Sequence, residues 1–264
     1  MAGRRLDLEI VARALAPSRE QARALVLAGA VRVDGQVVTK AGAAVTPGSA
    51  IEVAAQAGYV SRGGTKLAGA FERFGIDPAG LRALDVGTST GGFTDCLLQN
   101  GAASVTAVDV GYGQLAWQLR NDPRVRVLER TNIRTAEPEL LGGPYDLVTI
   151  DVSFVGLAKV LPAVLPLVAE SGAVVALVKP QFEAGKGRVG KKGVVRDPQV
   201  HRDVLEGVIA AVRAQGWVVR GLGWSPITGP EGNIEFWAWF ARDGDAETAS
   251  PDDIVAAAHA ALGG

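Results

Sequence analysis

The sequence of 264 residues is 48% hydrophobic and 21% charged, a composition that supports a sizeable core and excludes an intrinsically disordered chain. A single cysteine and two histidines exclude an intrachain disulfide framework and a Cys/His zinc site, and we expect no metal. The 27 basic and 28 acidic residues nearly balance, but five acids lie in residues 243–264, so residues 1–242 carry a net charge of +4, a mild bias toward a polyanionic partner.

The sequence gives no sign of a membrane segment. The N-terminal residues lack the apolar run of a signal peptide. The most apolar stretch, residues 152–169, is interrupted by Lys159, Pro162 and Pro166, so it does not match a membrane span of about 20 residues. We therefore expect a cytoplasmic protein with no membrane partner.

Residues 1–55 have the pattern of a small α+β module. Ser18 followed by Gln21 is a capping box that opens a helix. Asp34-Gly35 between two apolar runs is a strong hairpin signal. The predicted order is helix, helix, hairpin and strand, at residues 4–15, 18–29, 31–38 and 51–53.

The basic residues of this module outnumber its acids by seven to four up to residue 40. Ordinary solvated arginines would give the same count. The order of elements, however, resembles the alpha-L RNA-binding fold of a small-subunit ribosomal protein, pseudouridine synthases and tyrosyl-tRNA synthetases. That resemblance implies RNA contacts by Arg4, Arg5, Arg19 and Lys40.

A small-residue linker, residues 56–62, leads into a second domain, residues 63–264. Apolar runs of strand length alternate there with helical segments, which predicts an α/β fold with a doubly wound, largely parallel sheet. The predicted strands are residues 81–87, 105–110, 125–128, 147–151, 173–178, 217–222 and 234–240. The predicted helices are residues 93–99, 198–215 and 250–262, the second capped by Asp197.

A glycine-rich turn, residues 87–92, follows the first of these strands and has three interpretations. A dinucleotide site requires glycine where Ser89 stands. Residues 87–91 also match the Gly-x-Ser-x-Gly pattern of a hydrolase nucleophile elbow. Ser89, Asp151 and His201 would then supply a catalytic triad in the chain order of that fold. That triad depends on one of two histidines, placed inside an amphipathic helix, and leaves the other motifs unexplained.

The third interpretation is S-adenosylmethionine, because the turn resembles the first motif of class I (Rossmann-like) methyltransferases. Asp109 lies 24 positions after Asp85, where an acid would accept hydrogen bonds from the cofactor ribose. Phe154 would pack on the adenine. The implied cofactor-binding residues are Asp85, Gly87, Ser89, Gly91, Gly92, Phe93, Asp109, Asp151 and Phe154.

The motifs around Lys66, Asp151, Lys179 and Glu235 indicate the reaction. Their Lys-Asp-Lys-Glu order is the signature of ribose 2′-O-methyltransferases of the FtsJ type. A ribose hydroxyl is a poor nucleophile near neutral pH, so a lysine must stabilise the alkoxide or accept its proton while acids hold that lysine. Methyl transfer is an in-line displacement that needs positioning and no metal.

Six runs of sequence resemble the TlyA family: residues 61–67, 89–94, 109–115, 128–132, 178–183 and 232–235. TlyA proteins are called haemolysins but act as S-adenosylmethionine-dependent 2′-O-methyltransferases on cytidines of ribosomal RNA. The resemblance therefore implies ribosomal RNA or ribosomal subunits as the partner.

Two features are similar to the longer TlyA proteins, which modify both ribosomal subunits and whose loss reduces susceptibility to capreomycin and viomycin. They are the Arg4-Arg5 start and the predicted helix at residues 250–262. One feature differs, since the longer members carry a basic residue and a tryptophan in the linker. This chain has Ala57-Gly58-Tyr59-Val60 there.

Further RNA contacts are expected near the proposed site, from Arg62 and from a glycine-rich basic loop. A solvated crossover loop is the alternative for that segment. The basic residues of the loop are Lys186, Arg188, Lys191 and Lys192.

Two other functions remain open at this stage. A membrane-active haemolysin is opposed by the absence of a spanning segment. An RNA-binding protein with an inactive methyltransferase fold is opposed by the intact set of four catalytic residues.

Overall fold

The computed structural model describes residues 4–16, 18–27, 30–53, 58–185, 187–229, 231–247 and 249–263. The chain folds as two compact units, residues 1–58 and 59–264. Residues 59–62, at the end of the predicted linker, belong to the second unit.

The first unit contains two helices and two small sheets. Its helices are α1 (Leu6–Ala12) and α2 (Arg19–Leu27). Its strands are β1 (Arg4–Arg5), β2 (Val31–Val33), β3 (Gln36–Val37), β4 (Ala44–Val45) and β5 (Ile51–Val53). Strands β3, β2 and β5 form one antiparallel sheet in that order, and β1 pairs with β4.

The start of the first helix differs from the prediction. Arg4 and Arg5 are extended and pair with β4, so α1 begins at Leu6 rather than at residue 4. The N–H groups of Leu6 and Asp7 donate to the carbonyls of Ala43 and Ala41, at 2.8 and 3.0 Å. A distant segment thus supplies partners for the first turn of the helix, which a local pattern does not reveal.

A buried carboxylate, Asp7, connects the elements of this unit. Arg5 donates to both of its oxygens through Nε and Nη2, each at 3.0 Å, and Arg19 Nε donates to Oδ2, also at 3.0 Å. The hydrogen bonds from Arg5, reinforced by Arg19, hold the pKa of Asp7 at about 2 although burial acts in the opposite direction. Two arginines expected to bind RNA therefore also hold this unit together.

We expect Asp7→Asn to destabilise the first unit by about 1–3 kcal/mol at pH 7, because hydrogen bonds to a charged acceptor are lost. Since the pKa of Asp7 lies below its unfolded value, this contribution is present above about pH 4 and is lost as the pH falls toward 2. Hydrogen exchange of amides in residues 4–53 measures it, with Glu20→Gln as the exposed control. Equal exchange in both variants would contradict the expectation.

The second unit is built on a seven-stranded sheet. Its strands are β6 (Arg82–Val86), β7 (Ser104–Val108), β8 (Val125–Leu128), β9 (Tyr145–Ile150), β10 (Val168–Val178), β11 (Val218–Trp224) and β12 (Phe236–Ala241). Their order is β11-β12-β10-β9-β6-β7-β8, and β12 is antiparallel to both of its neighbours while the remaining pairs are parallel. The predicted α/β fold with a largely parallel sheet is confirmed.

Helices cover both faces of this sheet. They are α3 (Arg62–Phe74), α4 (Gly92–Gln99), α5 (Trp117–Arg120), α6 (Pro138–Leu141), α7 (Leu161–Val164), α8 (Pro180–Glu183), α9 (Pro198–Ala214) and α10 (Pro251–Leu262). Alternate residues of β10 enter two separate cores. Val174 and Ala176 pack with α7, α9 and α10, whereas Val175 and Leu177 pack with α3 and α4.

Helix α3 is the main element that the sequence pattern did not reveal. Glycines lower its intrinsic helix propensity, and Ser61 caps it by accepting from the N–H of Gly63 at 3.3 Å. A Cβ at Gly64 would lie 2.1 Å from Cγ of Tyr59, so the glycine makes room for that ring. This helix brings Lys66 to the sheet.

Candidate active site

The carboxyl ends of the parallel strands bring the glycine turn and the acids together. Gly87, at the end of β6, has φ +90°, and a Cβ there would lie 2.5 Å from the carbonyl oxygen of Asp151, just after β9. Gly91, with φ +98°, is the N-cap of α4. Both positions therefore require glycine for conformation and space.

Asp85 lies beneath the turn. Its carboxylate is fully buried and accepts from the hydroxyls of Thr94 in α4, at 2.7 Å, and Thr149 in β9, at 3.3 Å. Burial raises the pKa of Asp85 to about 7. Asp85 thus ties the start of α4 to the sheet and lines neither of the cavities described below.

A cavity of about 510 Å³ opens beside the turn. Its lining includes Gly87, Ser89, Asp109, Asp151 and Phe154. Asp109 accepts from the N–H of Ser89 through Oδ2 at 2.7 Å. Its other oxygen accepts from a backbone N–H two residues on, at 2.6 Å, so each oxygen keeps a lone pair for a ligand.

Phe154 stands at this cavity with 90% of its surface exposed. Its backbone has φ +64°, and its ring centroid lies 4.9 Å from that of Phe182. An exposed aromatic ring of this kind is available to a flat ligand.

A second cavity, of about 440 Å³, adjoins the first. Arg62, Lys66, Gly92 and Phe93 line it. The two cavities share Gly87, Ser89 and Asp151. One continuous site therefore extends from Asp109 to Lys66.

The four predicted catalytic residues form two ion pairs. Lys66 Nζ lies 2.5 Å from Glu235 Oε2, with 9% and 1% of the two side chains exposed. Lys179 Nζ lies 2.5 Å from Asp151 Oδ1 and donates to the hydroxyl of Ser153 at 3.1 Å. Since Lys66 and Asp151 line the same cavity, both pairs border it.

The predicted RNA-binding residues of the first unit differ in their surroundings. Arg4 lies 3.4 Å from Glu9, Arg5 and Arg19 hold Asp7, and Lys40 is exposed.

In the second unit, Arg62 donates to the carbonyl of Thr228 and lines the Lys66 cavity. Arg188 pairs with Asp203 at 2.5 Å, and Lys192 is exposed. Lys186 and the side chain of Lys191 lie outside the described residues.

His201 does not join Ser89 and Asp151. It is buried, and its Nδ1 lies 2.9 Å from Nε2 of His259, where α9 meets α10. Burial lowers the pKa of His201 to about 4. The hydrolase interpretation therefore has no geometric support.

Several residues at the first cavity were not found by sequence reasoning. Asn132, Arg134 and Lys159 line it. Outside its lining, Arg130 stacks on the exposed ring of Tyr112 with Cζ 4.1 Å from the ring centroid. Asn132 and Arg130 lie in a run that the sequence analysis did single out, but neither spacing nor charge distinguishes Arg134 and Lys159 from ordinary surface residues.

Two family models match the chain. The FtsJ-like methyltransferase model matches residues 59–242, and the S4 domain model matches residues 4–51. The 16S/23S rRNA (cytidine-2′-O)-methyltransferase TlyA of Mycobacterium tuberculosis is 51% identical over 243 residues, which cover 91% of each chain. The chain belongs to the TlyA family.

Other relatives of this TlyA-family chain carry a different name. Hemolysin A of Brachyspira hyodysenteriae is 40% identical over 89% of this chain and 99% of that relative. A solved structure from Streptococcus thermophilus, described as a candidate hemolysin, is 42% identical with a TM-score of 0.74, covering 100% of this chain and 98% of that one. No helix in the described part of the chain is both long and apolar enough to cross a bilayer.

The buried Lys66–Glu235 pair leads to a prediction about stability. Lys66→Met alone leaves a buried carboxylate without its cation, so the free energy of unfolding should fall by about 3–5 kcal/mol. The double variant Lys66→Met/Glu235→Leu should lose less. Urea unfolding measures both, and Asp122→Asn, which breaks the exposed pair with Arg124, should cost about 0–1 kcal/mol. A double variant less stable than the single one would contradict this.

Proposed function

We propose that this chain transfers a methyl group from S-adenosylmethionine to the 2′-hydroxyl of cytidine in ribosomal RNA. The observation that carries the proposal is the pair of ion pairs, Lys66–Glu235 and Lys179–Asp151, bordering one cavity. The activity for which the M. tuberculosis relative is named, at 51% identity, supports the same reaction. Residues 1–55 would act as the RNA-binding module and residues 63–264 as the methyltransferase domain.

The cavity at Asp109 has the properties that the cofactor requires. Its volume lies within the range of small-molecule sites, and the free lone pairs of Asp109 suit two ribose hydroxyls. The glycine turn offers backbone without side chains, and Phe154 offers an aromatic face for the adenine. When bound, S-adenosylmethionine supplies an electrophilic methyl group on a sulfonium.

Asp109→Ala should weaken S-adenosylmethionine binding about 100-fold or more, because two hydrogen bonds to a charged acceptor are lost. Isothermal titration calorimetry measures the dissociation constant, and Asp77→Ala, on the surface, is the control. Phe154→Ala should also weaken binding. Cofactor affinities equal to wild type in both variants would remove this assignment.

Lys179 is the group we propose to act on the 2′-hydroxyl. Its ammonium has three donors; Ser153 accepts one and Asp151 lies 2.5 Å away as the counter-ion, so a donor remains for the substrate oxygen. As a neutral amine, Lys179 would accept the hydroxyl proton; as an ammonium, it would donate to the developing alkoxide while the hydroxyl proton passes to water. Glu235 and Lys66 complete the charged border of the cavity and keep the net charge of the four residues at zero.

Lys179→Ala should lower turnover by about 100-fold or more while leaving the affinities for cofactor and RNA nearly unchanged, since its interactions matter mainly in the transition state. The test is to map 2′-O-methyl groups on both ribosomal RNAs after incubation with each variant and labelled S-adenosylmethionine. Arg124→Ala, outside the site, is the control. Near-normal methylation by folded Lys179→Ala protein would overturn the mechanism.

The same map of 2′-O-methyl groups also shows which ribosomal subunit carries the substrate RNA. We propose that RNA of both ribosomal subunits is methylated, because the relative at 51% identity is named for 16S and 23S RNA. Loss of the protein would then reduce susceptibility to capreomycin and viomycin. Methyl groups on large-subunit RNA alone would restrict the proposal to that subunit.

RNA contact by the first unit is proposed for Lys40 and Arg4 in particular, because both are exposed, although Arg4 also pairs with Glu9. Arg5 and Arg19 are already engaged by Asp7, although each keeps further donors. Arg62, Arg188, Lys192, Lys186 and Lys191 would add contacts from the second unit.

Lys40→Ala should reduce the salt dependence of RNA affinity, with a change in log–log slope of about 0.7–0.9 if one phosphate contact is lost. Fluorescence anisotropy at several salt concentrations measures the slope. Asp34→Asn, also in the first unit, is a control that removes an acid. A slope equal to wild type would show that Lys40 does not touch RNA.

A further inference from the structure

The described residues between β11 and β12, residues 225–229 and 231–235, are joined by two backbone hydrogen bonds. The N–H of Ser225 donates to the carbonyl of Glu235 at 2.9 Å, and the N–H of Gly229 donates to the carbonyl of Asn233 at 2.8 Å. Glu235 is the acid that pairs with Lys66. Glu235 therefore lies at the base of this loop, two residues after Asn233.

The side chain of Asn233 leaves this loop and reaches a different segment. It is 4% exposed. Its Oδ1 accepts from the N–H of Val195 at 3.0 Å, and its Nδ2 donates to the carbonyl of Gly193 at 3.0 Å. An amide both donates and accepts, so asparagine satisfies the two backbone groups on either side of one residue, and neither aspartate nor leucine does so.

The segment held in this way is the end of the basic loop. Lys192 lies directly before Gly193, is exposed and has φ +64°. The N–H of Gly190 donates to the carbonyl of Val194 at 3.0 Å, which closes the loop on itself. Asn233 thus fastens residues 193–195, at the end of the basic loop, to the loop that carries Glu235.

We infer that Asn233 is a positioning residue that connects the basic loop to the Lys66–Glu235 pair. RNA phosphates held by the basic loop then fix the position of Glu235, and through it Lys66, at the cavity. This inference rests on the proposed function. Asn233 lines neither cavity, so its loss should affect turnover and leave cofactor binding unchanged.

The first test is substitution of Asn233 itself. Asn233→Asp keeps the size but loses the donor, and Asn233→Ser keeps a hydroxyl too short for both bonds. For each we expect kcat at saturating RNA to fall about 10- to 100-fold, the effect of a small misplacement in a site. The dissociation constant for S-adenosylmethionine should equal that of wild type. Asn121→Asp, which removes an amide from the exposed end of α5, is the matched control.

The second test separates positioning from a general loss of structure. Lys192→Asn removes the charge and suits the left-handed backbone. In wild-type protein it should lower both RNA affinity and kcat. In Asn233→Ser protein it should lower RNA affinity by the same factor but leave kcat unchanged. An equal fall of kcat in both backgrounds, or a wild-type kcat in Asn233→Ser, would overturn the inference.

Hydrogen exchange tests the connection even if both Asn233 variants fail to fold. RNA binding to the wild-type protein should slow exchange at amides 193–195 and also at amides 229 and 231–235. Slower exchange at 193–195 alone would overturn the inference. A wild-type protein that transfers no methyl group to ribosomal RNA would instead contradict the proposed function, so the two failures are distinguishable.

Discussion

The site depends on how closely two strand ends approach each other. The N–H of Asp151, just after β9, donates to the carbonyl of Val86, the last residue of β6, at 2.8 Å. Gly87, which follows Val86, faces the carbonyl of Asp151. A side chain at position 87 would push the glycine turn away from the strand end that carries the acid. Gly87 and Asp151 line both cavities. The glycine therefore sets the distance between the proposed cofactor site and the proposed catalytic pair of Lys179 and Asp151.

The number of charged residues in the first unit does not show which of them stabilise the fold and which are free to bind a partner. Arg5 and Arg19 hold a buried carboxylate, and Arg13 donates to the backbone carbonyl of Ser49 at 2.7 Å. Lys40, in contrast, is exposed. Arginines that stabilise the fold also present guanidinium groups at fixed positions, so structure and RNA recognition need not compete for the same side chains.

Local signals explain which parts of the fold were predictable. The sheet follows from runs of apolar residues, and Asp197 caps α9 as predicted, accepting from the N–H of Gln199 at 2.9 Å. Helix α3 escaped prediction because its glycines weaken the helical pattern, and they are explained by a ring that packs on Gly64. Local signals for it are nonetheless present, since Ser61 caps its start, Gly75 ends it in the left-handed region, and Leu67, Ala70 and Phe71 share one buried face.

The residues of the site also divide into those that the sequence predicted and those that it did not. Lys66 and Glu235 are 169 positions apart, and only the resemblance to a family, not spacing, suggested that they act together. Asn233 and Arg134 carry no periodic or charge signal that marks them. Their importance arises from which backbone groups or cavities they face, and this depends on the packing of loops after the strands have formed.

The single cysteine has a practical consequence. Cys96 lies in α4 with no exposed surface, and burial raises its pKa to about 12, so almost no thiolate is present at neutral pH. Reagents such as maleimides require an accessible thiolate and should leave the folded wild-type protein unlabelled. A cysteine introduced on the surface would then be the sole reactive thiol, and fluorescent probes could be attached to either unit without first removing a native residue.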